Sequence, residues 1–183
     1  MLEKEIKVLE IDKEAVIKKL LELWATQTFE GYIHDIYYDF EWTKGPKMEK
    51  NKRLFRVRQK WEVHLYTIKR KRNKKSEGWE KWVKMADEWE QPITDIESFR
   101  QVLEKYGMKK VREKKKYRVS FALPGIEFDV DEYDDIPALL EIEAQTKKEL
   151  DDYVEKLWLQ NNPKKVFGSR GLYEYYGKDY SYL

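Results

Sequence analysis

Apolar and polar residues alternate along this chain with two periods, and the change between them marks out its elements. Residues 1–10 alternate with period two and read as a strand. Asp12 then caps a helix to about Trp24, with Ala15, Val16, Leu20, Leu23 and Trp24 as its apolar positions. Residues 31–40 read as a strand and 41–52, with Gly45-Pro46 inside, as a loop. Strands are expected at Arg53–Gln59 and His64–Lys69, with Lys60–Val63 turning between them, and again at Trp79–Glu90. Thr94-Asp95-Ile96-Glu97 has the form of a capping box, opening a helix to Tyr106 that Gly107 ends. Val111–Phe121 and Ile126–Asp131 flank a Leu123-Pro124-Gly125 turn, and Leu139–Glu143 is the last clear strand. Thr146 caps a helix to about Gln160, with Leu150, Tyr153, Val154, Leu157 and Trp158 apolar. The tyrosine- and glycine-rich tail from Pro163 shows no period that places it. The pattern predicts about eight strands and three helices in one domain over residues 1–183, without a repeat.

Charge follows strand parity. Residues two apart in a strand share a face. Glu3, Glu5 and Lys7 therefore align, as do Arg56 with Arg58, and Thr67 with Lys69. Lys84, Glu88 and Glu90 share parity, as do Lys114, Lys116, Arg118 and Ser120. Glu127, Asp129 and Asp131 form one row, and Glu141 and Glu143 another. A half-buried sheet with one solvated face explains alternation alone. It does not explain why some strands are basic and others acidic, since like charges stacked on one face repel. An antiparallel barrel with its apolar side outward against helices would gather both signs in a polar interior. Such an interior could take a polyphosphate on its basic strands and metal ions on its acidic ones.

Composition narrows the class. The 183 residues suffice for one domain with a core, and 41% hydrophobic with 15% aromatic content argues against disorder. Charged residues reach 39% yet nearly cancel to +2, so non-specific nucleic-acid binding is not expected. The chain has no cysteine, which excludes disulfides and a thiolate nucleophile, and its two histidines make a histidine-built zinc site a poor fit. Without a signal-peptide pattern or a long apolar run, the expectation is a soluble, cytoplasmic protein that does not enter a membrane.

These segments resemble, in order, the CYTH family of triphosphate tunnel metalloenzymes, which includes class IV adenylyl cyclases, thiamine triphosphatases and inorganic tripolyphosphatases. Glu3-Lys4-Glu5-Ile6-Lys7 matches its Glu-x-Glu-x-Lys signature. Asp35-Ile36-Tyr37-Tyr38-Asp39 is similar to its aspartate–aromatic strand, Arg56-Val57-Arg58 to its arginine strand and Thr67-Ile68-Lys69 to its lysine strand. Glu88-Trp89-Glu90, the pair Lys116 and Arg118, and Asp131 followed by Glu141-Ile142-Glu143 complete the likeness over about residues 3–143. Asp129 and Asp131 share a face and compete for the family aspartate; the spacing to Glu141 favours Asp131. Lys165 and Arg170 are candidates for a further basic group.

The resemblance implies an α+β, mainly β fold: an eight-stranded antiparallel closed barrel forming a polar tunnel, with helices outside. It implies that Lys7, Arg56, Arg58, Lys69, Lys116 and Arg118 grip a triphosphate. Glu3, Glu5, Asp131, Glu141 and Glu143 would bind Mg²⁺ or Mn²⁺. Lys7, Glu88, Glu90 and Asp131 would also act in catalysis, Glu88 and Glu90 by ligating metal or by holding basic side chains in place. The expected reaction is hydrolysis of inorganic or nucleoside triphosphate. A class IV adenylyl cyclase making cyclic AMP and pyrophosphate is the close rival. A non-catalytic phosphate- or RNA-binding module, using the basic run Arg70–Lys75 beside Trp79 and Trp82, ranks lower. Tail tyrosines 173, 175, 176 and 180 suit sealing of the tunnel end or a homodimer.

Overall fold

The computed structural model describes residues 2–40, 53–71 and 84–178. The basic run beyond Lys71, Trp79, Trp82 and Tyr180 lie outside the described residues, as do the side chains of Glu3 and Lys69.

In chain order the elements are β1 (Leu2–Leu9), α1 (Lys13–Glu22), β2 (Thr26–Phe40), β3 (Arg53–Lys60), β4 (Val63–Lys71) and β5 (Lys84–Ile93). There follow α2 (Ile96–Lys105), β6 (Met108–Leu123), β7 (Ile126–Glu132), β8 (Leu139–Ala144), α3 (Lys147–Lys156), β9 (Lys164–Lys165) and α4 (Ser169–Tyr175). Side chains close the helix N-termini as the sequence suggests for α1, where Asp12 accepts from the Ala15 amide at 3.0 Å. The reciprocal capping box belongs to α3, with Thr146 and Glu149, and not to α2. Asp95 caps α2 through the Ser98 amide, because Asp95 rather than Thr94 is the last extended residue before the helix.

The expected closed eight-stranded barrel is corrected by the strand pairing. The described residues form a nine-stranded antiparallel sheet in the order β5-β4-β3-β2-β6-β7-β8-β1-β9, with helices outside. The free edge of β1 is divided: Leu2–Glu5 pairs with Lys84–Asp87 of β5, and Lys7–Val8 with β9. The sheet thus curls until its ends touch over four residue pairs, without one continuous eight-strand closure. No alternation could reveal β9, since two lysines are too short to show a period.

Curling gives the sheet a convex apolar and a concave polar face. Outward residues of β1, β6, β7 and β8, such as Val8, Val119, Phe128 and Ile142, pack with Val16 and Leu20 of α1 and Leu150 and Val154 of α3. Ile36, Tyr38 and Val57 pack with Leu103 on α2. Each such side chain, fully buried, is worth about 1.5–3 kcal/mol, so the two helical layers hold the curvature. A third cluster, Leu9, Tyr133, Ile136, Leu139, Leu172 and Tyr173, brings α4 against one end of the sheet. No helix among the described residues is long and apolar enough to cross a membrane.

Candidate functional site

Register assembles the inner face. Residues opposite one another in an antiparallel pair point to the same side. Lys7 lies opposite Glu141 and Glu5 opposite Glu143. Asp129 lies opposite Glu141 on one side and Ser120 on the other, while Asp131 lies opposite Arg118. Asp35 lies opposite both Lys114 and Arg58, and Arg56 lies opposite Tyr37 and Thr67. Thr67 in turn faces Glu90. The parity rows of separate strands thus become one concave, ionised surface.

Three ion networks hold it. Asp35, fully buried, accepts from Arg58 Nε at 2.7 Å and from a terminal guanidinium nitrogen at 3.1 Å. Arg56 Nε at 3.9 Å and Lys114 Nζ at 3.7 Å add to the same carboxylate. In the second network Arg56 donates to Thr67, Glu88 and Glu90, at 2.9 Å for each carboxylate. Thr67 also donates to Glu90 at 2.6 Å. In the third, Asp131 accepts from Lys116 at 2.5 Å and takes both Nε and a terminal nitrogen of Arg118, at 2.5 and 2.6 Å. Arg118 reaches on to Glu141 at 2.8 Å and to Asp129. Lys7 bridges Glu141, at 2.5 Å, and Glu5.

Burial and charge compete at these groups. Burial penalises the Asp35 carboxylate, but Arg58, Arg56 and Lys114 outweigh it and hold the group well below the usual carboxylate range. Glu141 is likewise held well below its ordinary value, against burial, by Lys7, Lys116 and Arg118. Burial works against the Lys7 ammonium, yet Glu141 and Glu5 push it above the usual lysine range. Lys114 and Lys116 go the other way. Burial brings Lys114 down to about 8 despite Asp35 and Glu141. Burial, helped by neighbouring Arg118, brings Lys116 down to about 8 despite Asp131. Burial and the Asp35 charge push the Tyr37 phenol up to about 12.

The structure therefore brings together, on one face, Lys7, Arg56, Arg58, Lys116, Arg118, Glu5, Glu88, Glu90, Asp131, Glu141 and Glu143. The strand registers put the backbones of Glu3 and Lys69 in the same rows, opposite Ala86 and Leu54. Both oxygens of Asp131 are engaged by Lys116 and Arg118, whereas Asp129 binds Arg118 and Ser120. Sequence reasoning missed Asp35 and Lys114 as site residues. Lys114 carries the same parity as Lys116 and Arg118, which was signal enough. Asp35 becomes a hub only through two registers at once, and no spacing within β2 discloses that.

The matches to known proteins fit this geometry. The model of the CYTH domain matches residues 1–176. The chain belongs to the CYTH domain family. Among solved structures, a candidate adenylate cyclase from Vibrio parahaemolyticus is similar at a TM-score of 0.71 and 16% identity, over 95% of this chain and 98% of that one. A Pyrococcus horikoshii protein gives a TM-score of 0.66 at 22% identity, over 87% and 92%. A candidate adenylyl cyclase from Hippeastrum, described as having dominant triphosphatase activity, gives 0.61 at 15% identity, over 97% and 96%. No curated protein matches the sequence.

The acidic rows of this CYTH chain offer only carboxylate oxygens, the donors that hard divalent cations prefer. A cation already sits among them, since the Lys7 ammonium bridges Glu5 and Glu141. Among the described residues no three acidic or imidazole groups converge on one point. The donor chemistry is that which suits a hard divalent cation, and the place between Glu5 and Glu141 is taken by the Lys7 ammonium.

Proposed function

We propose that this protein hydrolyses a triphosphate, inorganic or nucleoside, in a reaction dependent on Mg²⁺ or Mn²⁺. The observation that carries the reading is the density of buried cations on the concave face. Arg56 and Arg58 on β3 and Lys114, Lys116 and Arg118 on β6 flank Asp35 on β2, and beyond Asp129 and Asp131 on β7 the carboxylates Glu5, Glu141 and Glu143 surround Lys7. Burying this many ions is costly, and replacing them by apolar residues would often cost nothing. A face that keeps them is better explained by a polyanion that uses them.

Each side chain then has a role. Arg56 and Arg58 present planar forks suited to two parallel bonds with phosphate oxygens. Glu88 and Glu90 fix the orientation of Arg56, and Asp35 that of Arg58. Lys7, Lys69, Lys114, Lys116 and Arg118 neutralise the remaining oxygens. Asp131 aligns Lys116 with Arg118, which engage both of its oxygens. Glu3, Glu5, Glu141 and Glu143 would hold the metal, which when bound supplies charge neutralisation and a more acidic water. Water attack on the terminal phosphorus breaks its bridging P–O bond and releases orthophosphate. The stated triphosphatase activity of the Hippeastrum protein supports preferring hydrolysis.

The test is product analysis by phosphorus NMR, with inorganic triphosphate and with ATP, with and without metal. Orthophosphate formed only with metal is the expected result. Pyrophosphate together with cyclic AMP from ATP would replace hydrolysis by cyclisation, and no turnover of either compound would overturn the reading.

A further inference from the structure

The β3–β4 hairpin breaks a local rule. Trp61, its first turn residue, has φ of +54°, in the left-handed region that hairpin turns normally give to glycine or asparagine. A non-glycine residue there costs about 1–2 kcal/mol, and glycine would close the same turn more cheaply. The indole is nevertheless 58% exposed, so burial does not repay the strain. Trp24 and Trp158 share this backbone conformation at the ends of α1 and α3, so what sets Trp61 apart is its place beside the ionised face.

The ring is also held in place. Its Nε1 donates to the Glu30 carbonyl at 3.0 Å, and it packs on Phe29 with centroids 4.7 Å apart. Lys60 Nζ lies 4.1 Å from the centroid of the Phe29 ring. The backbone beneath is glycine: a Cβ added at Gly31 would come within 2.9 Å of Trp61 Nε1. Gly31 lies opposite Arg118, so the indole covers the concave side of β2 next to the cationic rows. Strand directions set which end this is. Because all pairs are antiparallel, the hairpin lies at the end where β1 starts and β8 finishes, away from the apolar cluster of Leu9, Leu139 and Leu172. From Arg58 to Trp61 is three strand residues, about 10 Å, a separation of the order of that between a nucleotide's phosphates and its base.

We propose that Trp61, backed by Phe29, is the stacking platform for the base of a nucleoside triphosphate, and so sets the preference of the site for nucleotides over inorganic triphosphate. The inference rests on the triphosphate reading above and names its substrate class. Every nucleobase has a π-face, so an exposed indole beside phosphate-binding cations recognises base and phosphate together. The two contacts hold the ring while leaving it 58% exposed, with surface available to a ligand.

The test is calorimetric binding of the non-hydrolysable β,γ-imido analogue of ATP, and of its competition by inorganic triphosphate, to wild type, W61F, W61A and G31A. W61A is expected to weaken the nucleotide about tenfold, the scale of one base–aromatic stack, and inorganic triphosphate less than twofold. W61F should keep most of the affinity, while G31A, which displaces the indole without removing it, should resemble W61A. Equal losses for both ligands, or none for either, would overturn the platform and leave the triphosphate reading standing. A wild type that binds neither ligand would overturn both.

Discussion

Asp35 shows how much one residue can hold. It is fully buried and neutralises Arg58, Arg56 and Lys114 together. Removing its charge takes the counter-ion from Arg58 and Lys114, while Arg56 keeps Glu88 and Glu90, so Asp35→Asn is expected to cost about 3–5 kcal/mol in urea melts at neutral pH. A loss below about 1 kcal/mol would show that the cations re-pair elsewhere. The sign of the pH dependence follows from its depressed folded pKa. The contribution is complete above the unfolded carboxyl value of about 3.9 and disappears as pH falls through the lower folded one. The wild-type and Asn curves should therefore run parallel above pH about 4 and converge below it. Lys114 has a slope of the same sign in a different window, because its folded value, about 8, also lies below the ordinary 10.5. Between those values the unfolded chain binds more protons, so the Lys114 contribution to stability rises with pH across that window. Phosphate binding needs the charged form. Affinity for inorganic triphosphate should fall as pH passes about 8, with proton uptake on binding there, and Lys114→Met should flatten that part of the profile. An unchanged profile in the variant would remove Lys114 from the site.

Elements were legible in the sequence where one period ran long enough, and illegible where backbone conformation or register decided. Arg56 with Arg58, and Glu141 with Glu143, could be read as shared faces because a strand has period two whatever its neighbours are. The helix ends could not. Apolar spacing carries α1 on to Trp24 and α3 past Trp158, yet the helices stop at Glu22 and Lys156. Both tryptophans sit just beyond, at φ of +62° and +60°, where helices usually place glycine. The sequence pattern places the start of β2 at residue 31, yet the strand begins at Thr26, with Gly31 inside the paired strand under Trp61. The two tryptophans give a paired prediction. Trp24 is 87% exposed, so Trp24→Gly should stabilise the protein by about 1 kcal/mol through relief of left-handed strain. Trp158 carries Lys19 Nζ 3.7 Å above its ring, a contact worth about 0.5–1 kcal/mol. Trp158→Gly should consequently be near neutral. Thermal melts giving the two variants equal shifts would contradict this accounting of strain against contact.

At the scale of the whole molecule, the inner face is a set of cations that carboxylates now satisfy and a polyanion could satisfy instead. A ligand that binds only the folded state stabilises it by about 2.7 kcal/mol at one hundred times its Kd. For a chain of this size each kcal/mol moves the midpoint by about 2–4 °C, so saturating inorganic triphosphate should raise Tm by roughly 5–10 °C. The rise should shrink with added salt less than a surface interaction would, since Arg56, Lys116 and Arg118 are buried and poorly screened. Metal removal separates binding from turnover. Arg56, Arg58, Lys114, Lys116 and Arg118 belong to the protein and stay charged in a chelator, whereas Glu5, Glu141 and Glu143 lose the cation they are proposed to share. Excess EDTA should therefore abolish orthophosphate release yet leave part of the Tm rise, and Mg²⁺ or Mn²⁺ should restore the rest. A triphosphate that shifts Tm neither with metal nor without it would mean that the ion networks are closed to ligands, with Asp35, Asp131 and Glu141 serving the fold alone.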